Sequence, residues 1–213
     1  NIAQSDKGVT VTYVDTVKGG APRTATADYC ICTIPVSVLS QVPITGINPK
    51  LQTAINNLSY SSSVKVGLQF KRRFWEEDEQ IYGGITYTDQ PNSTISYPST
   101  SYFSSGKGVL LGAYAFGPNA SRFTSMSPEE RVKKSLEYGA NIHPQYMKEF
   151  ETGASVAWHR VPWILGCAGA WTEDLREQYY NDLCALDGRF ILAGEHASRI
   201  PAWMEGAVLS ASD

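Results

Sequence analysis

The last part of the sequence most constrains the fold, because it places an apolar strand directly before a glycine turn and a helix. Residues 190–193 form a short apolar run that is typical of a buried strand, and Gly194 and Glu195 end it. After a loop, a helix is predicted from Met204 onward. A loop at the carboxyl end of a strand, followed by a helix N-terminus, is a common binding arrangement for anionic groups in α/β proteins.

Two further features of this segment would suit a flat ligand. The small residues Gly206 and Ala207 would let a ring system approach the backbone. The positive end of the helix would favour negative charge on the ligand. From the residues alone, a routine strand–loop–helix connection is the simpler alternative.

The segment FILAGEHASRIPAWMEGAVLSA resembles the C-terminal signature of the flavin amine oxidase family. That family includes monoamine oxidases, polyamine oxidases and L-amino-acid oxidases. Its pattern is an apolar strand, Ala-Gly-Glu, a variable loop, an aromatic residue, and then Glu-Gly-Ala at the start of a helix. The resemblance implies FAD as the cofactor. It also implies cofactor contacts at five residues: Gly194, Glu195, Trp203, Met204 and Glu205.

A second segment, VKVGLQF followed by KRRFW, forms a strand with one apolar face. Lys65 lies on the other face, where a lone lysine is usually solvated. The segment also resembles the substrate-domain strand of the same family, whose lysine holds a water molecule against flavin N5. The resemblance therefore makes Lys65 a candidate catalytic residue.

A third segment, GCAGAW, is rich in glycine and alanine and ends in Trp171. It resembles a family segment whose aromatic residue pairs with the one before Met-Glu-Gly-Ala to enclose the substrate amine. The resemblance implies that Trp171 and Trp203 form two walls of the catalytic site. Two aromatic faces in this arrangement would attract a cationic amine. The alternative from the residues alone is a pair of core tryptophans.

Some family members attach the flavin covalently to a cysteine directly before the first of these aromatic residues. Ala170 stands there in this sequence, and Cys167 is three residues earlier. We therefore expect FAD to be bound without a covalent bond.

The resemblance continues through ADYCICTIPVSVL, which is similar to a strand-then-proline segment of the family's FAD domain. It implies a mixed α/β, two-lobed flavin amine oxidase-like fold. Residues 1–45 and 166–213 would belong to the FAD-binding lobe, and residues 46–165 to a substrate lobe with a mixed sheet. Within the first lobe, residues 8–14 and 27–34 are predicted to pair as a hairpin around a turn at 17–23.

No Gly-x-Gly-x-x-Gly fingerprint occurs, the chain opens in a strand-like segment, and it closes within a predicted helix. We therefore expect a piece of a longer protein. Most of the FAD would be held by the remaining N-terminal part of the same polypeptide or by a companion chain. Residues 1–213 are not expected to be active alone, and homo-oligomerisation stays open.

The composition argues against a disordered chain, a nucleic-acid-binding protein and a membrane-spanning protein. Hydrophobic residues make up 42% and charged residues 18%, which favours a folded core over disorder. A net charge of −3 gives no electrostatic reason to expect nucleic acid or an anionic membrane as a partner, and no apolar run is long enough to span a bilayer.

The cysteines and sequons add little. No CxxC pair occurs and there are only three histidines, so no metal site is predicted and the four cysteines are expected to be buried free thiols. Sequons at Asn57, Asn92 and Asn119 would permit glycosylation only in a secreted protein. The choice between cytoplasm and secretion therefore stays open.

The resemblance implies oxidation of the C–N bond of an amine or L-amino acid to an imine by hydride transfer to flavin N5, with O2 reduced to H2O2. One alternative is a flavoprotein of the same superfamily that oxidises C–C bonds, against which Lys65 and the paired tryptophans argue. Another is a non-catalytic subunit that keeps the fold. The arginine that some L-amino-acid oxidases use to bind the substrate carboxylate would lie before Asn1, so the substrate class stays open.

Overall fold

The structure is a computed structural model of the chain, and it describes residues 1–17 and 19–212. The strands are β1 (Ile2–Ser5), β2 (Gly8–Val14), β3 (Pro22–Ala27), β4 (Cys30–Cys32), β5 (Ile44–Thr45), β6 (Ser63–Phe70), β7 (Gly84–Tyr87), β8 (Thr94–Tyr97), β9 (Gly108–Phe116), β10 (Phe150–Ala157) and β11 (Phe190–Leu192). The helices are α1 (Val36–Leu39), α2 (Pro49–Asn57), α3 (Phe74–Glu77), α4 (Gly117–Thr124), α5 (Pro128–Ala140), α6 (Tyr146–Glu149), α7 (Glu173–Cys184) and α8 (Met204–Ser212).

The chain forms two compact units. The first unit consists of Asn1–Ser61 and Pro162–Asp213, and the second of Ser62–Val161. Residues 46–61, which the sequence analysis assigned to the substrate lobe, pack with the first unit because the buried face of α2 belongs to its core. The assignment of FAD and substrate to the two units stays a prediction.

The first unit contains two sheets. One has the strand order β3-β2-β1-β5, and the other is the parallel pair β11-β4. Their apolar faces share one core with α1, α2 and α7. The buried members of this core are Ile2, Val9, Cys32, Val36, Leu39, Leu51, Ala54, Ile55, Leu58, Leu183, Phe190, Leu192 and Ala197. The core therefore fixes the end of β11, after which the candidate site begins.

The hairpin predicted between residues 8–14 and 27–34 is wrong. β2 instead pairs with β3, and β4 pairs in parallel with β11. The strand is interrupted at Asp28, whose carbonyl accepts a hydrogen bond from the Arg189 guanidinium at 3.0 Å. The amide of Cys30 donates to the Arg189 carbonyl at 2.8 Å, which carries the chain from one sheet to the other.

The second unit contains a five-stranded sheet with the order β10-β6-β9-β8-β7. Its strands are antiparallel to their neighbours, and the predicted alternation along β6 is confirmed. Val64, Val66, Leu68 and Phe70 are fully buried in the core, whereas Lys65 on the opposite face is only half-buried. The apolar face of β6 packs against α4 and α5.

Two helices, α5 and α7, begin with capping residues that can be recognised in the sequence. Ser127 followed by Pro128 and two glutamates predicts the start of a helix, and α5 confirms it. The helix begins with a capping box, in which the Glu130 amide donates to Ser127 Oγ and the Ser127 amide donates to the Glu130 carboxylate. α7 was not predicted from the sequence, although Thr172 caps it and accepts a hydrogen bond from the Leu175 amide at 3.2 Å.

Across the described residues, no helix is both long and apolar enough to cross a bilayer. Within the same ranges, no group of three or more histidine, cysteine or acidic side chains is placed to hold a metal ion. All four cysteines are free, but only Cys32 is fully buried. The expectation of buried thiols therefore holds for Cys32 alone.

Candidate active site

The candidate site begins where β11 ends, at a turn that requires glycine. Gly194 has a φ of +146°, and a Cβ added there would lie 2.6 Å from Cε1 of His196. A side chain at position 194 would therefore displace the imidazole. The glycine lets the chain turn so that Glu195 and His196 follow the strand directly.

Glu195 connects two loops through their backbones. One carboxylate oxygen accepts the amide of Gly169 at 3.0 Å, and the other accepts the amide of Ala202 at 2.8 Å. Gly169 belongs to residues 166–171, which we call the Trp171 loop. Ala202 belongs to residues 198–203, which we call the Trp203 loop. A single carboxylate is therefore hydrogen-bonded to both loops that carry the predicted aromatic walls.

His196 is buried beside this carboxylate. Its Nδ1 lies 2.9 Å from the hydroxyl oxygen of Tyr60, and its Nε2 is buried without a hydrogen-bond partner among the described residues. Burial lowers the pKa of His196, and the charge of Glu195 opposes this effect only in part. Burial, followed by the charge of Glu195, raises the pKa of the Tyr60 hydroxyl. The pair is therefore neutral near pH 7.

Trp171 is tied to the same turn. Its indole Nε1 donates to the carbonyl of His196 at 3.1 Å, and the ring is half-buried. Its ring meets Tyr180 edge-on at a centroid distance of 5.6 Å, and the Arg176 guanidinium lies 5.5 Å from its centroid. Arg176, on α7, therefore supports one side of the tryptophan.

Trp203 and the start of α8 are open to solvent. Trp203 is 69% exposed and Met204 89% exposed, and Glu205 is exposed as well. Ala202, directly before them, has a φ of +67°, a conformation that a residue with a Cβ rarely adopts. The structure therefore places Trp203, Met204 and Glu205 at an accessible helix end.

Gly206 has a different environment from the one expected. A Cβ on this residue would lie 1.9 Å from the carbonyl oxygen of Ile200 and 3.0 Å from Ser198 Oγ. The space beside Gly206 is thus filled by the Trp203 loop of the same chain. The missing side chain allows this loop to pack on α8, and the structure leaves no gap there for a ring.

Lys65 lies in the second unit, in the middle of β6. Its Nζ is 4.4 Å from the centroid of the Tyr114 ring on the neighbouring strand β9, and Tyr114 contacts Phe116 at a centroid distance of 4.3 Å. This is a cation–π contact on the face opposite the core. An aromatic ring therefore holds the predicted catalytic ammonium in place on an otherwise uncharged part of the strand.

The Trp171 loop also pairs with the segment before β6. The amide of Cys167 donates to the Ser61 carbonyl at 2.9 Å, and the amide of Ala170 donates to the Ser59 carbonyl at 2.8 Å. Ala170, at the position before the tryptophan, carries no group that could bond covalently to a flavin. These pairings fix one edge of the Trp171 loop, and Glu195 contacts it at Gly169.

Glu195, Trp171 and Trp203 were predicted from the sequence as site residues. Tyr60, His196 and the conformation of Ala202 were not. His196 could have been found, since it follows Glu195 directly within the quoted signature. Tyr60 is 136 positions away from its imidazole partner, and nothing in its neighbourhood signals the contact. The positive φ of Ala202 has no sequence signal either, because alanine rarely adopts it.

Comparison with known proteins shows the relatives of this chain. The profile of the family described as flavin containing amine oxidoreductase matches residues 1–213. YobN of Bacillus subtilis is 35% identical over 189 residues, covering 87% of this chain and 39% of YobN. The L-amino-acid oxidase of Siganus canaliculatus is 31% identical over 212 residues, covering 99% of this chain and 40% of that protein. The flavin-dependent L-tryptophan oxidase RebO of Lentzea aerocolonigenes is 30% identical, covering 91% and 42%.

The chain therefore spans about two fifths of the length of these relatives. Among solved structures, a putrescine oxidase redesigned in its cofactor binding matches 99% of this chain and 45% of its own, with a TM-score of 0.82 and 16% identity. The wild-type putrescine oxidase bound to putrescine matches 99% and 46%, with a TM-score of 0.80 and 16% identity. At such identities the likeness shows the fold alone, and the predicted mixed α/β fold is confirmed.

Proposed function

Because the chain belongs to the flavin-containing amine oxidoreductase family, as its signature predicted, we propose that it carries part of the active site of an FAD-dependent L-amino-acid oxidase. Family membership implies a flavin cofactor. The names of the relatives from Siganus canaliculatus and Lentzea aerocolonigenes, at 31% and 30% identity, favour an L-amino acid over a simple amine as the substrate.

In this reaction the Cα–N bond of the amino acid becomes an imine as the substrate loses two electrons and two protons. FAD, when bound, would supply at N5 the acceptor for the hydride equivalent, with O2 as the final acceptor of both electrons. Water hydrolyses the imine to a 2-oxo acid and ammonia. O2, with the two electrons and two protons, becomes H2O2.

Three observations in the first unit fit a flavin. The amino end of α8 is exposed at Met204 and Glu205, and the first amides of a helix have no partner within it, so this end suits an electron-rich ring edge. Met204 is almost fully exposed, and such a surface suits cover by a flat ring. His196 Nε2 is a buried polar atom without a partner in the described residues. We assign the cofactor contacts to Gly194, Glu195, Trp203, Met204 and Glu205.

The observation that carries the proposal is the double hydrogen bond of Glu195. It ties the Trp171 loop and the Trp203 loop to one residue at the end of β11. Trp171 and Trp203 would then act as the walls that orient the substrate amine and exclude water from it. Lys65 would hold a water molecule that accepts or delivers a proton. FAD would be held without a covalent bond, because Ala170 offers no reactive atom.

The test is a substrate panel on the enzyme that contains this chain. Purified enzyme is incubated with L-amino acids, with their D-enantiomers as matched controls, and with mono- and diamines. H2O2, ammonia and flavin absorbance are followed. We expect bound flavin that L-amino acids bleach without O2, and H2O2 release with L-amino acids only.

Other outcomes would overturn the proposal. Turnover of amines alone would make the protein an amine oxidase. Bound flavin that no amine or amino acid reduces would favour a C–C-oxidising or non-catalytic relative. Release of the flavin by acid or denaturant tests the non-covalent attachment, and flavin that stays with the precipitated protein would contradict it.

A further inference from the structure

We propose that Glu195 is a positioning residue, whose carboxylate fixes the Trp171 loop and the Trp203 loop relative to each other by accepting one backbone amide from each. Its effect on catalysis rests on the proposed function, whereas its effect on the two loops does not. The proposal concerns the carboxylate's bonds within this chain and is separate from its predicted contact with the cofactor.

The geometry uses both carboxylate oxygens. One is 3.0 Å from the amide nitrogen of Gly169, which is 26 positions away, and the other is 2.8 Å from the amide nitrogen of Ala202, which is 7 positions away. Hydrogen bonds to an ionised carboxylate are stronger than those between neutral groups. A carboxylate offers about four acceptor sites, so these two bonds leave room for a cofactor hydroxyl.

The bond to Ala202 has a specific consequence. Ala202 has a φ of +67°, and a residue with a Cβ persists there only when its surroundings hold it. The Glu195 carboxylate is the group that binds its amide. The next residue is Trp203, and α8 begins one residue later. Loss of the bond would let Ala202 relax and would turn Trp203 away from its present direction.

The bond to Gly169 acts on the other wall. Gly169 lies two residues before Trp171, whose indole is bonded to the carbonyl of His196, the residue after Glu195. The residues on either side of Gly169 are paired through their backbones with Ser59 and Ser61, and Gly169 lies opposite Tyr60. Loss of the Glu195 bond would therefore free the Gly169 amide within this pairing, and a shift of Glu195 would move the carbonyl that binds the Trp171 indole.

The test starts from Glu195→Gln in the FAD-loaded enzyme. Glutamine has one acceptor oxygen, and its amide group would face a backbone amide, so one of the two loops must lose its bond. Hydrogen exchange is measured on peptides that cover residues 166–171 and 198–203, at equal flavin occupancy. We expect faster exchange in at least one of these peptides. Flavin reduction by substrate should slow ~10²-fold, the scale for a misplacement of about 1 Å.

A second variant separates positioning from a purely structural effect. Glycine adopts a positive φ without strain, so Ala202→Gly should recover several-fold of the lost rate in the Glu195→Gln background and change little alone. Glu177→Gln, an exposed carboxylate on α7, is the matched control and should change neither loop. The proposal fails if Glu195→Gln leaves exchange in both loops unchanged, or if Ala202→Gly gives no recovery.

The two proposals fail separately. If the unmodified enzyme oxidises no L-amino acid, the proposed function is wrong, and hydrogen exchange still decides the role of Glu195. If the unmodified enzyme oxidises L-amino acids and Glu195→Gln binds flavin more weakly, but both loops exchange as before at equal flavin occupancy, Glu195 is a cofactor ligand only and the positioning role is wrong.

Discussion

Gly206 offers the sharpest test of how the signature at the end of the chain is used. Gly206 is the third residue of α8, and within a helix the replacement of glycine by alanine normally stabilises by up to about 1 kcal/mol. In this structure the added Cβ would lie 1.9 Å from the Ile200 carbonyl oxygen, where ordinary contacts begin at 3.4 Å. The two effects of Gly206→Ala therefore have opposite signs.

The steric clash should cost more free energy than the gain in helix propensity returns. The obstructing atom belongs to the backbone, which cannot rotate away as a long side chain can, and Ser198 Oγ at 3.0 Å limits movement on a second side. Overpacking of this kind costs typically about 1–3 kcal/mol, and a backbone obstacle places Gly206→Ala near the upper end. After the gain in helix propensity is subtracted, we expect a net loss of about 2 kcal/mol. For a chain of 213 residues, a loss of this size lowers Tm by about 4–8 °C.

The assay compares thermal unfolding of flavin-free and flavin-loaded enzyme for the parent and Gly206→Ala. Gly67→Ala is the control, because its added Cβ meets only Val109 Cγ1 at 3.9 Å. The flavin-free Gly206→Ala protein should already be destabilised, and the control should not. If flavin-free Gly206→Ala is as stable as the parent and only FAD affinity falls, Gly206 makes room for the cofactor and our assignment of its space to Ile200 is wrong.

Three further predictions address the other candidate residues. Lys65→Met should keep FAD bound and slow flavin reduction or reoxidation by ~10²-fold in stopped-flow experiments, and parent rates in both would make Lys65 a solvated strand residue. Trp171→Ala and Trp203→Ala should each slow flavin reduction more than they release FAD, and the double variant should lose less than the sum. Unfolding of a single variant would instead make that tryptophan a structural residue, and parent rates of flavin reduction in the protein that keeps FAD would refute the wall assignment. Burial lowers the pKa of His196 in the folded protein below its ordinary value of 6.5. As the pH falls below 6.5, the unfolded chain therefore takes up the proton before the folded protein does. The free energy of unfolding should fall over this range by up to ~1.4 kcal/mol per pH unit. That slope should be absent in His196→Gln, and an identical slope would refute the assignment.

Much of the fold could be predicted from local patterns. The alternation of apolar residues along β6 predicted its buried face, and Ser127 with Glu130 indicated the start of α5. Each of these signals is contained within a stretch of a few residues. The hairpin failed because residues 22–34 contain two strands that join different sheets, and the interruption depends on Arg189, far along the chain. α7 was missed because Leu183 is its only fully buried residue, which leaves little apolar periodicity.

The candidate site divides in the same way. Its side-chain types were visible in order along the sequence, so Glu195 and the two tryptophans could be named in advance. The donors that bind the Glu195 carboxylate are backbone amides, which every residue except proline has, so no residue type at positions 169 or 202 could indicate them. A carboxylate in such a signature therefore has two uses that the sequence cannot separate, contact with a cofactor and positioning of loops. One carboxylate has enough acceptor sites to contact a cofactor and to position both loops at once. Ala202→Gly acts on the loop alone, so the recovery of rate that it gives would report the positioning role and not the cofactor contact.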